Sequence, residues 1–225
     1  MLTKYVNIYA QVNRAVQDAY ALLTANIHFS NSTGDLKTLT ITSCTPKVGT
    51  TTVAINLAIS LARSGWSTLM VDADMRKPGT YKRLVGKEAE GENGDRDINI
   101  RGFSNNTTIP NLSYVSYGSG HDNPIEILCS PKFSEFIRDV RREYDFVLFD
   151  TPALSSVIDG ALIAAKSDGV ILVAEMGKTK KSSLTRATEQ LEKAQANILG
   201  VVINNTLKRD YVKYAESYNY FERFK

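Results

Sequence analysis

The chain has 225 residues, 43% of them apolar and 23% charged, with a formal net charge of +3. That length sustains one substantial α/β domain with a buried core, and so slight a positive balance gives no electrostatic footprint for nucleic acid. No apolar run is long enough to cross a bilayer and the opening stretch MLTKYVNIYAQVNR has no secretory apolar core, so a cytoplasmic protein is expected.

The elements are read in chain order within a single domain spanning residues 1–225. Residues 1–30 form an N-terminal helical segment, because apolar side chains recur at three and four along residues 5–29. After the soft SNSTGD comes a first strand, Leu39 to Thr42, then the loop SCTPKVG and a helix carrying Val53, Leu57, Ile59 and Leu61 that ends near Gly65. TLMVD (68–72) is a second buried strand. Residues 86–111 are polar and glycine-spotted, with five acids between Glu88 and Asp97, and read as a flexible excursion rather than a substrate lid. Apolar runs follow at LSYVS (112–116), FVLFD (146–150), GVILVA (169–174) and LGVVI (199–203). Helical stretches lie between them around 132–142, 159–165 and 179–194. Residues 208–225 are a tyrosine-rich tail.

Short apolar strands alternating with helices predict an α/β fold with a mostly parallel central sheet and helices on both faces. In such a sheet the ligand crevice opens beyond the carboxyl ends of the strands. The loop after the first strand, Asp72 after the second and Asp150 after FVLFD are therefore expected on one crevice.

The segment ITSCTPKVGTTTVAINLA has the form of a phosphate-binding loop, in which successive backbone N–H groups and the start of a helix receive phosphate oxygens. Pro46, Lys47, Val48, Gly49, Thr50, Thr51 and Thr52 are the candidate nucleotide contacts, with Gly49 for close approach and Thr51 or Thr52 offering a hydroxyl to Mg²⁺. The pattern G-x-x-x-x-G-K-[ST] would place glycine at 44 and lysine at 50, where this chain has Cys44 and Thr50. On the loop alone, an ordinary strand-to-helix turn capped by threonine is an equal alternative. The neighbouring motifs tip the balance: VDADMRKP sets Asp72, Asp74 and Arg76 beyond one strand, and FVLFDTP sets Asp150 at the end of another. One such aspartate can simply cap a turn; two beside a phosphate-type loop suit a Mg²⁺–nucleotide site.

TPKVGTTT, VDADMRKP, FVLFDTP and the tyrosine-rich tail together resemble the bacterial tyrosine kinases of capsule and exopolysaccharide synthesis, in motif order and spacing over nearly the whole chain. The resemblance implies a P-loop NTPase-like fold, with ATP and Mg²⁺ as cofactors. It implies Thr51 and Asp150 as holders of Mg²⁺, with Asp72 and Asp74 sharing metal contact and activation of the tyrosine hydroxyl. It gives Arg76 to the transferring phosphoryl group and Asn204 to a position near the adenine. It further implies a separate membrane-bound activator, the polysaccharide co-polymerase, which would recruit the protein to the inner face of the membrane. In that family a ring oligomer rests on a glutamate–arginine–arginine pattern in the first helix. Here Asp18 keeps the acid, but Ala21 and Thr24 take the arginine positions, which puts the ring in doubt.

Lys47, three residues before Thr50, is the candidate replacement for the absent lysine, with a solvent-exposed surface lysine as the alternative; Arg76 and Lys77 are further cations. Tyr211, Tyr214, Tyr218 and Tyr220 read as autophosphorylation sites delivered by the tail to a neighbouring molecule. Packing on a helix and stacking on nucleic-acid bases are the alternatives. Cys44 and Cys129 read as small buried packing residues, and His28 and His121 as surface residues without zinc-like spacing. Three functions follow: a tyrosine autokinase, a catalytically impaired nucleotide-binding adaptor, favoured by Thr50, Ala21 and Thr24, and a partition-type ATPase, which leaves the tyrosine tail unexplained.

Overall fold

The computed structural model describes residues 13–31, 34–76, 105–116, 123–207 and 210. The tail tyrosines, Lys77, His121, the first twelve residues and the excursion up to residue 104 lie outside these.

A seven-stranded sheet forms the centre, in the order β3-β4-β2-β5-β1-β6-β7. Its strands are β1 (Thr38–Ser43), β2 (Thr68–Asp72), β3 (Asn105–Asn106), β4 (Leu112–Ser116), β5 (Phe146–Asp150), β6 (Gly169–Glu175) and β7 (Ile198–Asn204). Every neighbouring pair is parallel except β3 with β4, a two-residue antiparallel edge. The near-continuous apolar runs of β1, β2, β5 and β6 are explained by this arrangement: each of these strands is buried along its whole length.

Helices cover both faces. On one, α1 (Arg14–Ser30) packs on α2 (Thr50–Arg63), and α2 on Leu39, Ile41, Met70, Leu148 and Val173 of the sheet. On the other, α3 (Pro124–Cys129), α4 (Pro131–Glu143) and α5 (Asp159–Ala164) cover Leu69, Val71, Val147 and Phe149, while α5 and α6 (Lys181–Lys193) cover Val170 and Leu172. The apolar positions of α4, namely Phe133, Phe136, Ile137 and Val140, recur at three and four, so one stripe is buried and the arginines between stay outside.

Three local readings need amendment. Cys44 is buried, but Cys129 at the end of α3 is exposed, because that short helix turns only Pro124 and Leu128 inward. Residues 105–111, read as the end of the excursion, carry β3 and a turn closed by the Thr107 hydroxyl, which donates to Leu112 O at 2.9 Å. Helix α3 has no counterpart among the expected elements. Thr24, at one of the two positions that the resemblance gives to arginine, is buried against α2, its hydroxyl donating to Ser60 Oγ at 2.8 Å. Ala21 stays exposed.

Candidate nucleotide site

The chain leaves β1 at Ser43 and enters α2 at Thr50 through two left-handed residues, Lys47 at φ 65° and Gly49 at φ 90°. Gly49 is the N-cap of α2 and supplies no side-chain cap, so the first N–H groups of the helix, from Thr50 onward, are left to an outside acceptor. The loop is braced from the far side of β1. Asn204, last residue of β7, donates its amide N–H to Val48 O at 2.8 Å, and Val48 itself is buried in the core. A Cβ on Gly49 would push the Asn204 amide off its bond to Val48 O, and φ 90° by itself favours glycine here. Pro46 and Lys47 are exposed, and Thr50, Thr51 and Thr52 half-buried.

Strand parity places the acids. Met70 and Leu148 pack on the α2 face, so Asp72 and Asp150, two residues further along β2 and β5, project to that same face. The strands are neighbours and their register pairs Asp72 with Asp150. Both are almost wholly buried, at 2% and 3% exposure. Two carboxylates thus stand side by side at the strand exits, on the side that carries the N-terminus of α2. Tyr114 of β4, in register with Met70, donates its hydroxyl to Asp72 Oδ2 at 3.3 Å. Burial first, and then the charge of Asp72, push that phenol far above its ordinary range, so it stays a donor.

The spacing of DADMR has a local cause. Asp74 N–H donates to Asp72 Oδ1 and Arg76 N–H to Asp74 Oδ1, each at 3.2 Å, which makes two successive aspartate turns. The intervening Ala73 and Met75 are buried in the opposite core, while Asp74 is half-buried and Arg76 is exposed. Arg76 does not end free. Its Nε donates to Asp159 Oδ2 at 2.9 Å and its Nη2 to Asp159 Oδ1 at 3.2 Å.

The strand exits are stitched together beneath these groups. Ala73 N–H donates to Asp150 O at 2.9 Å, Thr151 N–H to Ile41 O at 3.1 Å and Leu154 N–H to Ser43 O at 2.9 Å. The structure therefore brings Gly49, Thr51, Asp72, Asp74, Arg76 and Asp150 to one end of the sheet, as expected, and places Asn204 as the brace of the loop. Tyr114 and Asp159 were not singled out in the sequence. Tyr114 reads there as one more aromatic in a strand, and Asp159 as the acid at a helix start; it lies 83 residues from its arginine, beyond the reach of any spacing rule.

No cluster of three or more His, Cys, Asp or Glu side chains able to hold a metal by itself occurs among the described residues. Mg²⁺ needs no such cage: it commonly takes one or two carboxylates and completes its shell with water and phosphate oxygens. The hard oxygen donors Asp72, Asp150 and the Thr51 hydroxyl suit that ion, and the Cβ-free approach at Gly49 suits a phosphate chain. No helix among the described residues is long and apolar enough to cross a membrane.

The AAA domain family matches residues 36–208. Over 198 residues, 85% of this chain and 85% of the relative, the sequence is 36% identical to the tyrosine-protein kinase CpsD of Streptococcus pneumoniae serotype 4. Among solved structures, the chimerical protein CapA2B2 superposes with a TM-score of 0.79 at 26% identity, over 92% of this chain and 95% of that one. The kinase domain of the Escherichia coli tyrosine kinase ETK does so with a TM-score of 0.75 at 26% identity, over 86% of this chain and 76% of that one.

Proposed function

The chain belongs to the AAA-domain family and, within it, to the bacterial tyrosine kinases; from that premise we propose that it is an ATP-dependent protein tyrosine autokinase regulating capsular or exopolysaccharide synthesis. The observation that carries the reading is the pair Asp72 and Asp150, in register on the sheet face that also holds the open N-terminus of α2. In this reading the N–H groups of Thr50 to Thr52 receive the phosphates, with Pro46, Lys47 and Val48 lining the approach. Thr51, Asp72 and Asp150 would hold Mg²⁺, whose charge there would offset the negative charge that develops on the phosphate. Asp74 takes the proton of the attacking tyrosine hydroxyl, and Arg76 binds the phosphoryl oxygens. Asn204, beside the loop, flanks the base. The acceptors are Tyr211, Tyr214, Tyr218 and Tyr220 of a second copy, and a membrane-bound activator recruits the protein to the inner face of the membrane.

Thr50 favours a second reading. An arginine or lysine contact to phosphate contributes roughly 1.5–3 kcal/mol, and the loop position that would supply it is a threonine in the first turn of α2. A nucleotide-binding adaptor without turnover would tolerate that loss; a kinase needs a replacement, for which Lys47 is the candidate. Incubation with labelled ATP and Mg²⁺, with and without the cytoplasmic tail peptide of the co-polymerase, followed by phosphotyrosine mapping, separates the two. The kinase predicts label on the tail tyrosines that is lost in Asp150→Ala. An unlabelled wild-type tail in every condition establishes the adaptor.

A further inference from the structure

We propose that Asp159 is a positioning residue of the transfer site, acting through Arg76; the inference rests on the kinase reading just given. Asp159 is 1% exposed, and its partner guanidinium is 40% exposed. One member of this pair is thus fixed in the protein and the other reaches solvent at the exit of β2. The fixation has a visible cause. Asp159 opens α5, and a Cβ on the next residue, Gly160, would lie 3.0 Å from the hydroxyls of Thr42 and Thr151 and 3.2 Å from Pro152 O. The start of α5 thus presses on the exits of β1 and β5 more tightly than a larger residue fits without displacing them. Those exits are themselves bonded, Thr42 Oγ1 donating to Pro152 O at 3.0 Å and Thr151 Oγ1 to Ile41 O at 3.1 Å.

Asp159 is therefore anchored on the face of the sheet opposite α2, since α5 packs with Leu69, Phe149, Val170 and Leu172. By taking Nε and Nη2 of Arg76 in a fork, it ties the arginine, which leaves the exit of β2 through two aspartate turns, to the start of α5. A carboxylate held this way occupies one edge of the guanidinium and leaves the remaining N–H groups to a second anion. An arginine on an exposed turn samples many rotamers; clamped on one edge it does not, and that pre-organisation is what a phosphoryl-transfer site draws on. The nested turns from Asp72 through Asp74 fix the backbone of Arg76, and Asp159 fixes its tip.

The test is a double-mutant cycle of Asp159→Asn and Arg76→Ala, read on transfer to tail tyrosines. Asp159→Asn should lower kcat about 10- to 100-fold with little change in KM for ATP. In the Arg76→Ala background it should cost nothing further, because the two residues act as one unit. The Arg76 Nε–H signal in ¹⁵N NMR should be protected from solvent exchange in the parent and lose that protection in Asp159→Ala; if that variant fails to fold, Asp159→Asn serves. Losses that multiply in the cycle, or an Arg76 signal indifferent to Asp159, overturn the inference. If the parent transfers no phosphate under any condition, the kinase reading falls by itself. The same cycle, read on the ratio of ATP–Mg²⁺ to ADP–Mg²⁺ affinity, then decides the role of Asp159: coupling upholds it and additivity ends it.

Discussion

Lys47 occupies a left-handed conformation, at φ 65°, that costs a β-carbon residue roughly 1–2 kcal/mol and costs glycine nothing. An exposed lysine held there gains nothing from packing, so a role in binding is the reason to expect for it. Lys47→Gly should stabilise the protein by about 1 kcal/mol in urea unfolding, and at the same time weaken ATP–Mg²⁺ binding about tenfold or more, the loss expected of a charge-assisted contact. Stability that rises with affinity unchanged would leave Lys47 a surface residue and Thr50 uncompensated. The same scale explains what was legible in the motifs. Alternating Asp72, Asp74 and Arg76 with buried Ala73 and Met75 is a local pattern, visible in five letters. The contact of Tyr114 with Asp72 is not, because it crosses between strands 42 residues apart in sequence.

Among the elements, α1 shows most clearly how a family resemblance and a packing requirement can part. A helix was expected there and is found, but Thr24 faces inward and is bonded to Ser60 of α2, whereas Ala21 faces solvent. Thr24→Arg would force a long cation into the α1–α2 contact and should destabilise the fold by about 2–3 kcal/mol. Ala21→Arg should stay within about 0.5 kcal/mol of the parent. Urea midpoints of the two variants check this, and a Thr24→Arg protein as stable as its parent would mean that α1 does not dock as described. Helix α3 was within reach of the sequence: Asn123 caps it by accepting from Glu126 N–H, and Pro124 stands at its first position, the pattern of a helix start. Strand β3 was not, since Asn105–Asn106 carries no apolar alternation and exists only because β4 offers an edge.

For the molecule as a whole, the pairing of α1 with α2 leaves a mark on stability at high pH. Burial pushes the Tyr20 phenol up to about 12, against a smaller downward pull from its hydrogen bond with Asn56 of α2. The unfolded chain would release that proton from about pH 10, so the folded protein holds it over a range in which the unfolded chain does not. The resulting stability is full below pH 10 and is lost as pH rises from about 10 to about 12, to the extent of about 2 kcal/mol. Unfolding free energies measured across that range should fall more steeply for the parent than for Tyr20→Phe; equal slopes would place Tyr20 in water.

Apolar runs, glycine and proline positions and the two aspartate motifs determined the six longer strands, the parallel sheet and the end of it that carries the candidate site. Each of these follows from residues close in sequence and from one rule of strand-to-helix order. Only the tertiary structure decided that Asp72 lies beside Asp150, that Asn204 braces the loop at Gly49, and that Arg76 is clamped by Asp159. Those pairings join residues many tens of positions apart. Their geometry is set by strand register and by the close approach of the Asn204 amide to Gly49 and of the Thr42 and Thr151 hydroxyls to Gly160, which no local period or spacing encodes.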